Sequence, residues 1–356
     1  MFLENLSPIG KDLLLIVGSG TLAFLIALFL TPWFTNQLIK YKIGKQIRDT
    51  ALSGEKAEIF SVLHAKKSGT PTMGGLLIWG VIIIVVLISI VLQKYGVITY
   101  SLFNRKETWI PLFTLVTCGI LGAIDDYINV REIGKNKGIS AKFKLLWLTV
   151  FGALGAWWFY SKLGFNSITI PLPNAIELNV GWLYIPIFIF IIIATANAVN
   201  FTDGLDGLAS GLLILSFGAF GIIAYTKGLL ILSALCAVIS GANLAFLWFN
   251  VPPAKFYMGD TGSLALGATL GVIAMLVDQV LILPIIGFIF VIEALSVIIQ
   301  LTSKKLFKRK VFKIAPIHHH FEKCGWQEWT IVMRFWIIGA IFAAFGTIIG
   351  LMGVLN

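Results

Sequence analysis

The chain has 356 residues, 58% of them hydrophobic and only 12% charged, with a mean hydropathy of +0.92. This composition excludes an ordinary soluble domain and predicts one all-α polytopic membrane domain covering residues 1–356. The formal charge of +10 suits an anionic lipid surface or an anionic substrate, and the density of apolar segments sets nucleic acid aside.

A membrane span needs about 20 mostly apolar residues. Ten segments are predicted: Leu13–Leu30, Gly74–Leu92, Trp109–Ile124, Leu145–Tyr160, Leu183–Val199, Leu208–Tyr225, Leu229–Phe249, Ser263–Val277, Val280–Leu301 and Val332–Val354. Met1–Asp12 lacks a basic region followed by a small-residue cleavage site, so the first apolar run is expected to be a span and not a removable signal. The loops after spans 1, 3, 5, 7 and 9 hold 20 Lys or Arg, against 5 in the even-numbered loops. The odd loops are therefore expected in the cytoplasm and both termini outside. Ser167–Val180 alternates apolar and polar residues around Pro171–Ala175, which predicts a small extracytoplasmic hairpin. Cys118, Cys236 and Cys324 lie far apart in sequence and suggest neither a disulfide framework nor a zinc site.

Every polar cluster falls on an odd loop or its junction, as expected for one site at one membrane surface. Lys66, Lys67 and Thr70–Gly75 combine cations, hydroxyls and flexible backbone before span 2, a set that could cradle phosphate, although the P-loop order is absent. Asp125 and Asp126 end the third apolar run. Neighbours on a helix point about 100° apart, so one carboxylate is expected to face the site while the other orients a base or cation. The basic loop Arg131–Lys144 reads mostly as the inside-positive signal.

The densest cluster is Asn197–Ala209, where Asn197, Asn200, Thr202, Asp203 and Asp206 crowd between two apolar runs. Carboxylates beside a membrane are costly and usually functional, and Gly204 and Gly207 permit close backbone approach to a ligand. Met258–Ser263 surrounds Asp260 with small residues ahead of span 8. Helix-start amides suit anions, and a sparse carboxylate set suits Mg²⁺. His318, His319 and His320 suit phosphate hydrogen bonding or acid–base duty. Lys304–Lys313 shows an apolar stripe at helical spacing with cations elsewhere, which predicts a basic amphipathic helix on an anionic leaflet.

Gly69–Gly75, Asp125-Asp126, Asn197–Ala209, Met258–Ser263 and His318–Glu322 resemble, in order and spacing, the motifs of the phospho-N-acetylmuramoyl-pentapeptide transferase family, within the polyprenyl-phosphate N-acetylhexosamine-1-phosphate transferase superfamily. The resemblance implies a bacterial cytoplasmic (inner) membrane enzyme working at the cytoplasmic face. It would transfer phospho-MurNAc-pentapeptide from its UDP carrier to undecaprenyl phosphate, with release of UMP and dependence on Mg²⁺. It maps the metal ligand to Asp260, with Asp203 a second candidate. Asp125, Asp126, Asp203, His318 and His319 become catalytic candidates. Gly204, Leu205, Asp206, Asn250 and Tyr257 become uridine contacts, with Lys67, Thr70, Asn197, Asn200 and Ser263 lining the site. Family members are often homodimers, which no residue pattern here specifies. Asp49–Leu63 is longer than the link expected before His64, and Tyr257 stands where Phe is usual.

Two other readings make different predictions. A sister N-acetylglucosamine-phosphate transferase would differ in the first signature and in the histidine motif. A transporter would carry ionisable groups at mid-membrane, often with inverted repeats; Glu293 is the clearest acid inside a span.

Overall fold

The computed structural model describes residues 7–44, 69–104, 107–134, 138–171 and 176–352. Its helices are α1 (Pro8–Lys40), α2 (Gly75–Lys94), α3 (Trp109–Val130), α4 (Ala141–Trp158), α5 (Tyr184–Thr202), α6 (Leu208–Thr226), α7 (Leu230–Asn250), α8 (Asp260–Leu276), α9 (Phe288–Phe307), α10 (Ile317–Lys323) and α11 (Glu328–Met352). A π turn, Phe159–Leu163, extends α4. Strands β1 (Ser167–Ile170) and β2 (Ile176–Asn179) pair antiparallel, Ser167 opposite Asn179, and form the expected hairpin. Residues 172–175 at its tip, Lys66, Lys67 and the long 49–63 link lie outside the described residues.

Eight helical segments among the described residues are long and apolar enough to cross a membrane, so the chain is a helical polytopic membrane protein. The other two expected spans are α8 and α9, and each has a physical reason for standing apart. α8 has only 17 residues, yet every one from Thr261 to Leu276 is buried. It is the hub of the bundle, flanked by α3 and α5. Gly267 lies against Thr195 and Ala196 of α5, a close approach that only small residues allow. A helix enclosed by protein does not have to match the bilayer thickness with its own apolar surface. α9 starts later than expected, because the chain turns at Gly287 after a single helical turn at Leu283–Ile286. It carries Glu293, Lys304 and Lys305.

The amphipathic helix expected at Lys304–Lys313 does not form. α9 continues to Phe307 and stops at Lys308, which adopts a left-handed conformation with φ of 56°. Gln300 and Ser303 of α9 capture the following residues. The Gln300 carboxamide oxygen accepts from the Val311 and Phe312 amides, both at 3.0 Å, and the Ser303 hydroxyl donates to the Arg309 carbonyl at 2.9 Å. Side-chain competition for backbone groups replaces helical continuation here.

Helix starts follow local chemistry in some places and tertiary chemistry in others. Ser7 accepts from the Gly10 amide with Pro8 at the first position of α1, and Ser140 caps α4 through the Phe143 amide. α8 has no capping side chain of its own, since Gly259 precedes it. At the opposite end of α8, Asp278 accepts from the Thr169 amide at 3.2 Å and pairs with the Thr169 hydroxyl, which ties the hairpin to the bundle. Lys227 donates to the Val277 carbonyl nearby, and burial pulls its ammonium below the usual lysine range against the opposing charges of Asp278 and Glu177.

Candidate active site

The missing cap of α8 comes from α3. Asp126 accepts from the Asp260 amide at 3.1 Å, the Thr261 amide at 3.0 Å and the Thr261 hydroxyl at 2.6 Å. A carboxylate at a helix N-terminus satisfies orphan amides and complements the helix dipole. The anion expected at this helix start is therefore a side chain of the protein itself. The contact needs α3 and α8 to meet almost backbone to backbone. Gly122 makes that possible, because a Cβ there would overlap the Asp260 carbonyl.

Asp125, one residue earlier, points differently. Its carboxylate accepts from the Ile139 amide at 2.5 Å and pairs with Lys144 at 2.7 Å. The same ammonium lies 2.5 Å from Asp260. Lys144 thus bridges two carboxylates from different helices. The second oxygen of Asp260 accepts from Asn200 at 2.8 Å, and Asn200 also donates to the Ser263 hydroxyl at 2.9 Å. The two neighbours point apart: Asp126 organises the start of α8 and lines the cleft, while Asp125 pairs with a cation. Both sit inside α3, which runs on to Val130, and not at its end.

A cleft of about 180 Å³ opens beside this cluster, lined by Thr72, Asp126, Asn129, Asn200, Asp203 and Asp260 among others. The segment around Thr72 is held by strand-like pairing: the Tyr257 amide donates to Pro71 and the Gly74 amide donates to Tyr257, both at 2.8 Å. Thr72 therefore lines the cleft, while Thr70, two residues away, does not. Asn197 donates back to the Ile193 carbonyl of its own helix at 2.8 Å and lies outside the carboxylate cluster.

The histidines stand on α10, with His318 and His319 buried. His318 is fully buried, with Nδ1 3.0 Å from a Glu293 carboxylate oxygen, and its Nε2 edge lies against Gly204, where a Cβ would collide with the ring. His319 pairs with Glu322 at 2.5 Å. Asp206 and Asn250 serve as struts. Asp206 accepts from the Ala254 amide at 3.0 Å, while its own amide donates to Glu328 at 2.8 Å. Asn250 accepts from the Gly207 amide and donates to the Phe256 carbonyl, both at 2.9 Å. Leu205 is buried in this fold of chain.

Lys144 and Glu293 carry the geometry and were not among the residues picked from sequence. Both had signals. A lysine in the first turn of a helix opposes the dipole, and an acid inside an apolar run is costly. Thr72 and Thr261 gave no signal beyond their motifs, and Asn129 lies in none. Lys67 lies outside the described residues.

The carboxylates of Asp203 and Asp260 at the cleft suit Mg²⁺ in kind, and a cation already bridges Asp125 and Asp260. Among the described residues no three carboxylate, imidazole or thiolate groups converge to hold an ion unaided. Magnesium usually takes one or two carboxylates and completes its shell with water and substrate phosphates.

Residues 108–278 match the family model for glycosyl transferase family 4, and residues 67–78 match phospho-N-acetylmuramoyl-pentapeptide-transferase signature 1. Two similar proteins are the phospho-N-acetylmuramoyl-pentapeptide-transferases of Bacillus mycoides (strain KBAB4), 41% identical over 338 residues, and Bacillus anthracis (strain A0248), 42% identical over 339 residues. In both comparisons the match covers 94% of this chain and 98% of the relative. With identity of this level over nearly the full length of both proteins, the chain belongs to the phospho-N-acetylmuramoyl-pentapeptide-transferase family.

Proposed function

We propose that the protein transfers phospho-MurNAc-pentapeptide from its UDP carrier to undecaprenyl phosphate, giving the first lipid-linked peptidoglycan precursor and UMP. A phosphate oxygen of the lipid attacks the β-phosphorus of the nucleotide sugar. The new P–O bond forms as the bond to the UMP oxygen breaks. The observation that carries this reading is the meeting of Asp125, Asp260 and Lys144 from three helices at the edge of a polar cleft. Joining two phosphorylated substrates requires offsetting roughly 4 kcal/mol of repulsion per pair of unit charges about 4 Å apart, at an effective dielectric near 20.

Within that reading, Lys144 offsets phosphate charge, and Asn200 and Ser263 orient Asp260. Asp125 or Asp203 positions or deprotonates the lipid phosphate, and direct attack is expected. Glu293 holds His318, and with it His319, beside the nucleotide-sugar end of the cleft. Asp260, with Asp203, would hold Mg²⁺, which when bound neutralises the pyrophosphate charge. Ten spans with the cleft at the cytoplasmic face of the bacterial inner membrane agree with the loop charges: 20 Lys or Arg on the odd loops against 5 on the even ones. A homodimer is the expected assembly.

The test is UMP release by detergent-purified protein with undecaprenyl phosphate and Mg²⁺, comparing UDP-MurNAc-pentapeptide with UDP-N-acetylglucosamine. Release with the muramoyl substrate alone, lost in Asp260→Asn, is expected. Release with the glucosamine substrate alone would reassign the protein to the sister activity, and release with neither would reopen the transporter reading.

A further inference from the structure

The basic stretch that spans the last turn of α9 and the residues after it has no part in the site described above. Lys304, Lys305, Lys308, Arg309, Lys310 and Lys313 place six cations within ten residues, with no acid among them. The chain reverses at Lys308, and Gln300 and Ser303 pin Arg309–Phe312 back along the last turns of α9. Between this flap and the helix lies a groove of about 660 Å³, lined by Ile298, Ile299, Thr302, Phe307, Arg309 and Val311 among others. Ile298, Ile299, Phe307 and Val311 are exposed there. The groove is apolar along the helix and cationic at its rim.

Its position separates it from the catalytic cleft. At 3.6 residues per turn, Ile298, Ile299 and Thr302 lie across the helix from Glu293, Val297 and Gln300. The latter three are buried, and Glu293 holds His318. The groove faces outward, at the depth where an apolar helix gives way to charge. Acyl-chain-sized apolar walls beneath a rim of Lys and Arg complement one class of ligand, in which an anionic head is joined to a hydrocarbon tail. Arg suits a phosphate oxygen pair in particular.

We propose that this groove binds an anionic phospholipid of the surrounding bilayer, with the phosphate on Arg309 and Lys310 and an acyl chain along Ile298 and Ile299. The lipid is a bound structural ligand and not the acceptor substrate.

The experiment is native mass spectrometry of the detergent-purified full chain, titrated with phosphatidylglycerol or with phosphatidylcholine of the same acyl chains. Binding is measured directly, so the result does not depend on the proposed reaction. The variant is Arg309→Gln with Lys310→Gln, which removes both cations lining the groove and leaves the left-handed residue at 308 unchanged. Wild type should prefer phosphatidylglycerol, and the double variant should lose about 25-fold in affinity for it, from about fivefold per interfacial cation. Arg309→Lys should keep most of the preference, and glycerol 3-phosphate should not compete. UMP release in detergent should stay at the wild-type level in all variants, which also reports that they fold. Equal binding of the two lipids by wild type, or an undiminished preference in the double variant, would overturn the proposal. So would a raised KM for undecaprenyl phosphate in that variant, because the groove would then belong to the substrate path.

Discussion

Replacing Lys144 with methionine isolates the charge that bridges the two helices. Both carboxylates lie within 2.7 Å of one ammonium, so the nearest oxygens of Asp125 and Asp260 are no more than about 5 Å apart. Without the cation, two unit charges at that separation repel by roughly 3 kcal/mol at an effective dielectric near 20. Solvent lowers this further at the Asp260 side, whose side chain is 22% exposed, but hardly at Asp125, which is 2% exposed. Using about 2.1 cal/mol/K of unfolding entropy per residue for a 356-residue chain, 3 kcal/mol corresponds to a fall of about 4 °C in unfolding midpoint. Thermal unfolding of purified Lys144→Met, with and without millimolar Mg²⁺, is the assay. The midpoint should fall without the ion and recover with it, because a divalent cation can replace the lost positive charge between the carboxylates. UMP release should fall at least 100-fold even at saturating Mg²⁺, since the phosphates lose their lysine. A midpoint within 1 °C of wild type without Mg²⁺, together with release within threefold, would refute the assignment of Lys144 to this bridge.

Other perturbations separate organising roles from chemical ones. Asp126→Asn turns one acceptor into a donor facing the amides and hydroxyl at the start of α8, and should destabilise by about 2–4 kcal/mol in thermal unfolding. Asp125→Asn should abolish UMP release with a smaller shift in midpoint. Gly122→Ala inserts a methyl against the Asp260 carbonyl and should lower both stability and Mg²⁺-dependent release, whereas alanine at Gly80, where nothing lies within 4 Å, should be silent in both assays. Glu293→Gln should leave the fold intact but replace the carboxylate 3.0 Å from His318 Nδ1 with a neutral carboxamide, a weaker hold on the ring. An altered His318 resonance by NMR and a KM for the nucleotide sugar raised more than tenfold are expected, and an unchanged KM would argue against a positioning role.

Composition and apolar run lengths were enough to determine a helical membrane bundle, its hairpin and the segments where polar groups gather, because the bilayer demands long apolar helices and leaves polar groups few places to stand. The motifs likewise located Asp125, Asp126, Asn200, Asp203, Asp260 and His318, whose cost in such a setting is itself a signal. Partnership was not legible. Asp126 caps a helix that begins 134 residues later, and Lys144 reaches Asp260 over 116 residues. Pairings of that kind depend on which helices touch, and no local periodicity encodes it. The same holds for Asp206 and Asn250, whose hydrogen bonds to the loop at residues 250–256 and to Gly207 no local pattern announces. The helix expected at Lys304–Lys313 failed for the same reason: its amphipathic spacing was real, but Gln300 and Ser303, already fixed on α9, offered the backbone better partners than the next helical turn. Sequence determined which polar groups interrupt the apolar runs, and tertiary structure decided which of them meet, since charge pairing at 2.5 to 2.7 Å depends on helices that only packing brings together.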